Sequence, residues 1–189
     1  EVTASMQLAN FADLDSEAFQ HAIDSGVTSA YLSPDSLNVM GGIGAFVKTS
    51  GGQPADLFAD NAARVLNARA GLKVTLGGDP SRGNYTPSGQ YTTSFNARRP
   101  NTRMGTVWVV RRDFYRAKDY MKAREQGLPV YDADLEALAA ALRGEIPIRV
   151  QARRSHDVET ALRLQEELGW PNMILEEATE SHNLAAQLV

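Results

Sequence analysis

Histidine and cysteine, the nitrogen and sulfur ligands that zinc favours, are scarce in this 189-residue sequence: it has three histidines and no cysteine. His21, His156 and His182 are scattered over helical or helix-start stretches, with no His-x-His pair and no His-Glu-x-x-His turn. They read as surface or capping residues rather than ligands. The missing cysteine excludes disulfides and thiolate metal sites. Asp157 falls in a predicted first helical turn, where the helix dipole favours a negative charge, and that role is preferred to catalysis. The Gly41-Gly42-x-Gly44 run lies four residues ahead of Lys48, without Walker spacing and with no helix clearly following. It suits a tight turn better than a phosphate cradle. Arg103, in Thr102-Arg103-Met104-Gly105, either binds an anionic substrate group or pins the loop before it. Tyr85, Tyr91 and Phe95 in that loop read as packing residues first and as a ligand or partner surface second.

The elements that must position these residues alternate between helix and strand. Asp15 to Ser25 predicts a helix capped by Asp15 or Ser16 and stopped by Gly26. Val27 to Leu32 predicts a buried strand, followed by a turn at Ser33-Pro34-Asp35, and Ile43 to Lys48 predicts a second strand. Pro54 to Asn67 predicts a helix with Leu57, Phe58, Ala62, Val65 and Leu66 inward, and Leu72 to Leu76 a third strand. Residues 77–103, rich in Gly, Pro, Ser, Thr and Asn, form one long irregular loop, and loops of that length are usually functional or mobile. Met104 to Arg124 is the strongest helix, with Val107, Val110, Phe114, Ala117 and Met121 on one stripe. Asp132 to Leu142 predicts a helix stopped at Gly144, with Leu135, Leu138, Ala139 and Leu142 inward. Ile146 to Ala152 predicts a strand. A helix capped by Ser155 runs to Leu168 and closes at Gly169. Met173 to Leu175 is a last strand, and Ser181 to Val189 begins a final helix. This order favours an α/β fold with a largely parallel sheet. Periodicity alone does not separate an open sheet from a barrel.

Composition narrows the classes. With 43% hydrophobic and 22% charged residues, a packed core and an ordinary solvated surface are both expected. A net charge of −4, with basic clusters no larger than Arg111-Arg112 and Arg153-Arg154, makes no case for nucleic acid. Those arginines are expected in ion pairs. No apolar run approaches the ~20 residues needed to span a bilayer, and stretches such as Thr106 to Val110 are short, so no membrane partner is expected. No signal-like segment is read, and a start at Glu1 suggests that something upstream was removed. The compartment stays undetermined.

Three stretches carry a resemblance: Asp24 to Pro34 continuing through Asn38-Val-Met-Gly-Gly42 to Lys48; Leu72 to Pro80 followed by Pro100 to Gly105; and Arg143 to Asp157 followed by Ile174 to Glu180. In this order and spacing they resemble the imidazolonepropionase-like branch of the amidohydrolase superfamily, over essentially the whole chain. The resemblance implies part of a (β/α)8 barrel, parallel strands alternating with helices, with divalent metal at the C-terminal ends of the strands. Such metal lowers the pKa of a bound water and polarises the carbonyl under attack. It implies residues 1–189 as a single incomplete barrel segment, with the first strand upstream of Glu1 and the last units downstream of Val189. The rest of a parent barrel, or self-association through open sheet edges, is then expected. It also puts Asn38, Gly41 and Gly42 near the active-site face, as substrate or loop contacts with Lys48, Lys73 and Arg103.

The sequence departs from the family where histidine ligands are expected, with Gln151, Arg153 and Glu177 at those positions. A glutamine amide is a poor zinc ligand, and a guanidinium is permanently cationic with no lone pair to offer. An Arg153–Glu177 salt bridge is expected to fill the place of the metal. Lys48 or Lys73 could be a carbamylated metal bridge in some members, a role that loses its point without histidines to share the ion. The expectation is an amidohydrolase-like segment that has lost its metal site and hydrolytic activity, with no cofactor and a small-molecule ligand. The alternatives are a zinc-type hydrolase of C–N bonds in cyclic amides using ligands outside the chain, and a non-catalytic α/β small-molecule binding module.

Overall fold

The structure, a computed structural model, describes residues 2–50, 63–82 and 100–188. A five-stranded sheet runs in the order β1 (Ser29–Leu32), β2 (Met40–Lys48), β3 (Val65–Thr75), β4 (Ile148–Gln151) and β5 (Met173–Glu176). The helices are α1 (Glu17–Asp24), a short α2 (Asp79–Arg82), α3 (Arg103–Glu125), α4 (Ala133–Leu142) and α5 (Ser155–Leu168), with 3-10 turns at Leu8–Asn10 and Ser181–Gln187.

Only part of the sheet is parallel. β3, β4 and β5 pair parallel, whereas β1–β2 and β2–β3 pair antiparallel. That corrects the expectation of parallel strands alternating with helices throughout. Among the described residues the first three strands form a meander, and the crossovers that parallel pairing requires lie in the second half of the chain.

Each face of β3–β5 has its own chemistry because strand side chains alternate. Leu72, Val74, Ile148 and Val150 point into the main core. There they meet Val110, Phe114 and Ala117 of α3, Leu138 and Ala141 of α4, and Val158, Ala161 and Leu164 of α5. Phe114 is fully buried and packs its ring 5.1 Å from that of Trp170. On the opposite face lie the polar Lys73, Thr75, Arg149, Gln151 and Glu176, with Ile174 as the apolar exception level with Arg149. Burying a large apolar side chain contributes about 1.5–3 kcal/mol, so the helix-covered face supplies the stability and leaves the other face for polar groups.

The capping chemistry fixes several boundaries. Thr102 accepts from the Gly105 amide at 3.1 Å and starts α3; Asp132 accepts from Leu135 at 3.0 Å and starts α4. Gly169, at φ +69°, closes α5 in the left-handed region that glycine enters at least cost.

Other expectations are corrected. The strand placed at Val27 to Leu32 is shorter and not buried, with Val27 44% exposed. The helix placed over Pro54 to Asn67 does not reach its end, because Val65, Leu66 and Asn67 open β3, where Val65 pairs with Val47 and Asn67 with Phe46 of β2. Cross-strand pairing there outweighs the local preference of an Ala- and Leu-rich run. Leu57, Phe58 and Ala62 lie outside the described residues. Ser155 is the first residue of α5 rather than its cap, and its hydroxyl and amide both meet Glu180. The final helix is a 3-10 turn broken at Leu184.

Candidate functional site

β3, β4 and β5 end side by side, and the residues just past those ends form the site. The strand ends are held in register by Leu76 N–H donating to the Gln151 carbonyl at 2.9 Å and Ala152 N–H donating to the Glu176 carbonyl at 3.2 Å. Arg153 follows β4 and Glu177 follows β5. Their side chains meet: Arg153 Nε donates to Glu177 Oε2 at 2.7 Å, and a terminal nitrogen lies 2.6 Å from the same oxygen. Arg153 Nη1 donates to Asp79 Oδ2 at 2.8 Å, and the Gln151 amide lies 3.3 Å from that oxygen. One guanidinium therefore bridges carboxylates from two strand ends, with a 1%-exposed glutamine beneath. The bond to Glu177 raises the Arg153 pKa further above its ordinary value.

Glu177 is the one non-glycine among the described residues with positive φ, at +50°. A left-handed residue with a Cβ costs roughly 1–2 kcal/mol, and such outliers persist where surrounding structure over-determines them. Here the turn after β5 does so. Thr179 N–H donates to the Glu177 carbonyl at 2.8 Å, and Glu180 N–H and the Thr179 hydroxyl both donate to the Arg153 carbonyl at 3.0 Å. The same turn thus fixes both members of the Arg153–Glu177 pair.

A cavity of about 190 Å³ opens over these groups, bordered by Gly77, Arg103, Gln151, Arg153, Arg154 and Asp157. Arg103 Nε donates to Asp157 Oδ1 at 3.1 Å. Asp157 is the expected first-turn acid of α5, and it is also the buried anchor of Arg103. His156 sits 3.4 Å from the same oxygen. His21 and His182 are exposed; His21 lies on α1, and the His182 ring Nδ1 lies 3.3 Å from the Thr179 carbonyl in the turn after β5.

Below the strand ends, on the polar face of the sheet, Glu176 receives two cations. Lys73 Nζ lies 2.7 Å from Oε2 and Arg149 Nε 2.5 Å from Oε1. The Arg149 guanidinium also stacks 3.8 Å from the centre of the Tyr31 ring, a cation–π contact. Burial alone would raise the Glu176 pKa; the hydrogen bonds and charges of Lys73 and Arg149 outweigh it and hold the carboxyl below its ordinary range. Burial dominates at Tyr31, whose pKa is pushed up to about 12 although Arg149 pulls it down. The hydroxyl of fully buried Thr75, level with Gln151, has no hydrogen-bond partner.

The other sequence candidates separate from this site. Lys48 ends β2 opposite Ser29, far along the antiparallel strand from Met40, which pairs with Val74. Gly41 and Gly42 do lie near the β3 end, but their missing Cβ atoms make room for the Pro34–Asp35 turn and for the Met6 backbone respectively. Asn38 immediately precedes Val39, whose carbonyl accepts from Thr75 N–H at 2.8 Å. Tyr85, Tyr91 and Phe95 lie outside the described residues. Sequence reading missed Asp79, Glu176, Arg149 and Tyr31 as partners. The available signal is the placement of Lys73 and Arg149 each between two apolar strand residues, which marks buried polar groups on one sheet face.

This donor set does not fit a zinc ion. A glutamine amide and a guanidinium are poor or impossible ligands, and the nearby carboxylates Asp79 and Glu177 are already held by Arg153. Among the described residues no three His, Cys, Asp or Glu side chains converge as a metal site would require.

No family model and no curated protein matches the chain. A solved structure does: the crystal structure of an amidohydrolase from Thermotoga maritima MSB8 superposes with a TM-score of 0.82 at 30% sequence identity. The match covers 99% of this chain and 46% of that one, so the chain spans less than half the length of its structural neighbour. The likeness supports the amidohydrolase superfamily and a hydrolase-like fold, with the mixed sheet curled as a half-barrel.

Proposed function

We propose that this chain is a barrel segment of the amidohydrolase superfamily, of the imidazolonepropionase-like branch, that has exchanged its metal for an ion-pair network and lost hydrolysis. Gln151, Arg153 and Glu177 stand at the family's ligand positions in this reading, and the mouth is left to bind a small molecule. The observation that carries it is the Arg153 guanidinium held between Asp79 and Glu177. A unit charge 4 Å from another near a protein surface is worth about 4 kcal/mol, and a divalent ion doubles the repulsion. Metal entering beside Arg153 would meet that repulsion and would have to take both carboxylates from their partner. Hydrolysis in the superfamily depends on metal to activate water.

The test is metal content. The purified chain, incubated with zinc and then dialysed, is expected to retain well under one equivalent by elemental analysis, and to leave cyclic amides unhydrolysed. Close to one tightly held ion per chain, together with turnover, would instead establish the metal-dependent hydrolase using ligands other than Gln151, Arg153 and Glu177. Tight zinc without turnover would refute the exchange of metal for ion pair while leaving the loss of hydrolysis standing.

A further inference from the structure

On the helix-covered side of the sheet, α3 and α5 face each other across a groove of about 580 Å³ that begins beside the mouth at Leu76 and Gly77. Facing stripes at helical spacing line it: Val107 and Trp108 with Arg103 and Arg111 from α3, and His156 with Arg163 from α5. An ion pair stands at each end. Arg103 is held by Asp157, and Arg111 grips Glu167 with Nε at 2.8 Å and Nη2 at 2.7 Å. Eight positions separate those arginines, so the groove between them runs on the order of 12 Å.

Within that length the charges do not balance. Arg163 donates to the Thr160 hydroxyl at 3.1 Å and forms no ion pair among the described residues. Arg103 uses only Nε on Asp157, and its two terminal nitrogens have no acceptor among the described residues. The wall beside them is apolar, with Val107 and the exposed Met104 and Trp108, the latter 56% exposed. Arg112 lies over that ring at 5.0 Å, which steadies the indole. A guanidinium without an acid partner favours a carboxylate, which it can take in a forked pair. A half-exposed indole beside a valine favours a flat apolar body. A dianion would need a second unpaired cation, whereas Arg103 and Arg111 are each matched by a carboxylate.

We propose that this groove binds an aromatic monocarboxylate, its carboxylate on Arg163 and the terminal nitrogens of Arg103, its ring along Trp108 and Val107. The site is independent of metal chemistry, since Gln151, Arg153 and Glu177 do not line it.

The test titrates the chain with naphthoate, reading tryptophan fluorescence and backbone amide NMR, against the neutral isostere naphthamide. Saturable binding with Kd below about 1 mM is expected, with shifts confined to α3 and α5 and a fluorescence change lost in W108F. Naphthamide, and naphthoate with R163Q, should each bind about tenfold more weakly, the difference a charge-assisted contact makes. Arg163 is exposed, so R163Q should fold; K122Q, elsewhere on α3, should bind as the parent does. No saturation up to about 10 mM, equal affinity for naphthamide, full affinity in R163Q, or acetate binding as tightly as naphthoate would each overturn the proposal.

Discussion

Replacing Glu176 with Gln should destabilise the fold more than any other single loss of charge on the polar sheet face. Glu176 is the carboxylate shared by Lys73 and Arg149, and the three side chains are only 12%, 3% and 14% exposed. Removing one partner of a buried pair costs roughly 3–5 kcal/mol, because an uncompensated charge stays behind. Here two cations are stranded, but the Gln carbonyl can still accept from one of them, so the lower end, about 3 kcal/mol, is expected. For a chain of this size that is about 6–12 °C in Tm. The assay is urea unfolding followed by circular dichroism across pH. The Glu176 pKa is depressed in the fold, so its stabilisation is complete above the ordinary carboxylate range and is lost as pH falls through the lowered value. The gap between parent and E176Q should therefore be widest at neutral pH and narrow in acid. The double variant K73M/E176Q should recover part of the loss, since one of the two stranded cations is gone. A loss below about 0.5 kcal/mol at neutral pH, the scale of an ordinary surface substitution, would refute the argument. So would a gap that does not change with pH.

Two further outcomes follow from the same physics. Tyr31, pushed up to about 12, should be the last tyrosine to ionise in a near-ultraviolet absorbance titration, and Y31F should remove that last step. Because its folded pKa lies above the unfolded value of about 10, its contribution is complete below that pH and is lost as pH rises toward 12; ionisation with the other tyrosines would contradict its burial. Gly169→Ala should cost about 1 kcal/mol in urea unfolding, because a Cβ at φ +69° is strained although nothing lies within 4 Å of it. An unchanged midpoint would mean that the helix end relaxes out of the left-handed region.

The sequence was most legible where local chemistry decides structure. α3 carries its own apolar stripe at Val110, Phe114 and Ala117 over 23 residues, and Asp132 and Gly169 mark helix ends through their own side-chain or backbone preferences. Strand direction has no such local signature. Ser29–Leu32 and Met40–Lys48 look like members of any sheet, and only their partners make them antiparallel. Val65 to Asn67 departs from its local helical pattern for the same reason, since its partners Val47 and Phe46 lie roughly twenty positions away. In the site, the meeting of Arg153 with Glu177 follows from their chemistry and their places after adjacent strands. The share taken by Asp79 does not, because Asp79 opens the short α2 within a stretch whose composition reads as one irregular loop.

The polar face and the helix-covered face carry different constraints, and that difference bears on what the chain can bind. On the polar face each cation is matched to a carboxylate or an aromatic ring: Lys73 and Arg149 to Glu176, Arg149 also to Tyr31, and Arg153 to Asp79 and Glu177. An anion arriving there must displace a carboxylate already in place, and so gains little beyond what it replaces. Among the described residues Arg163, on the outer helices, donates to a hydroxyl and pairs with no carboxylate. A carboxylate reaching Arg163 displaces no carboxylate among the described residues, and the exposed Trp108 in the same groove adds apolar contact. The strongest anion affinity among the described residues is therefore expected between α3 and α5 rather than at the ion-paired mouth.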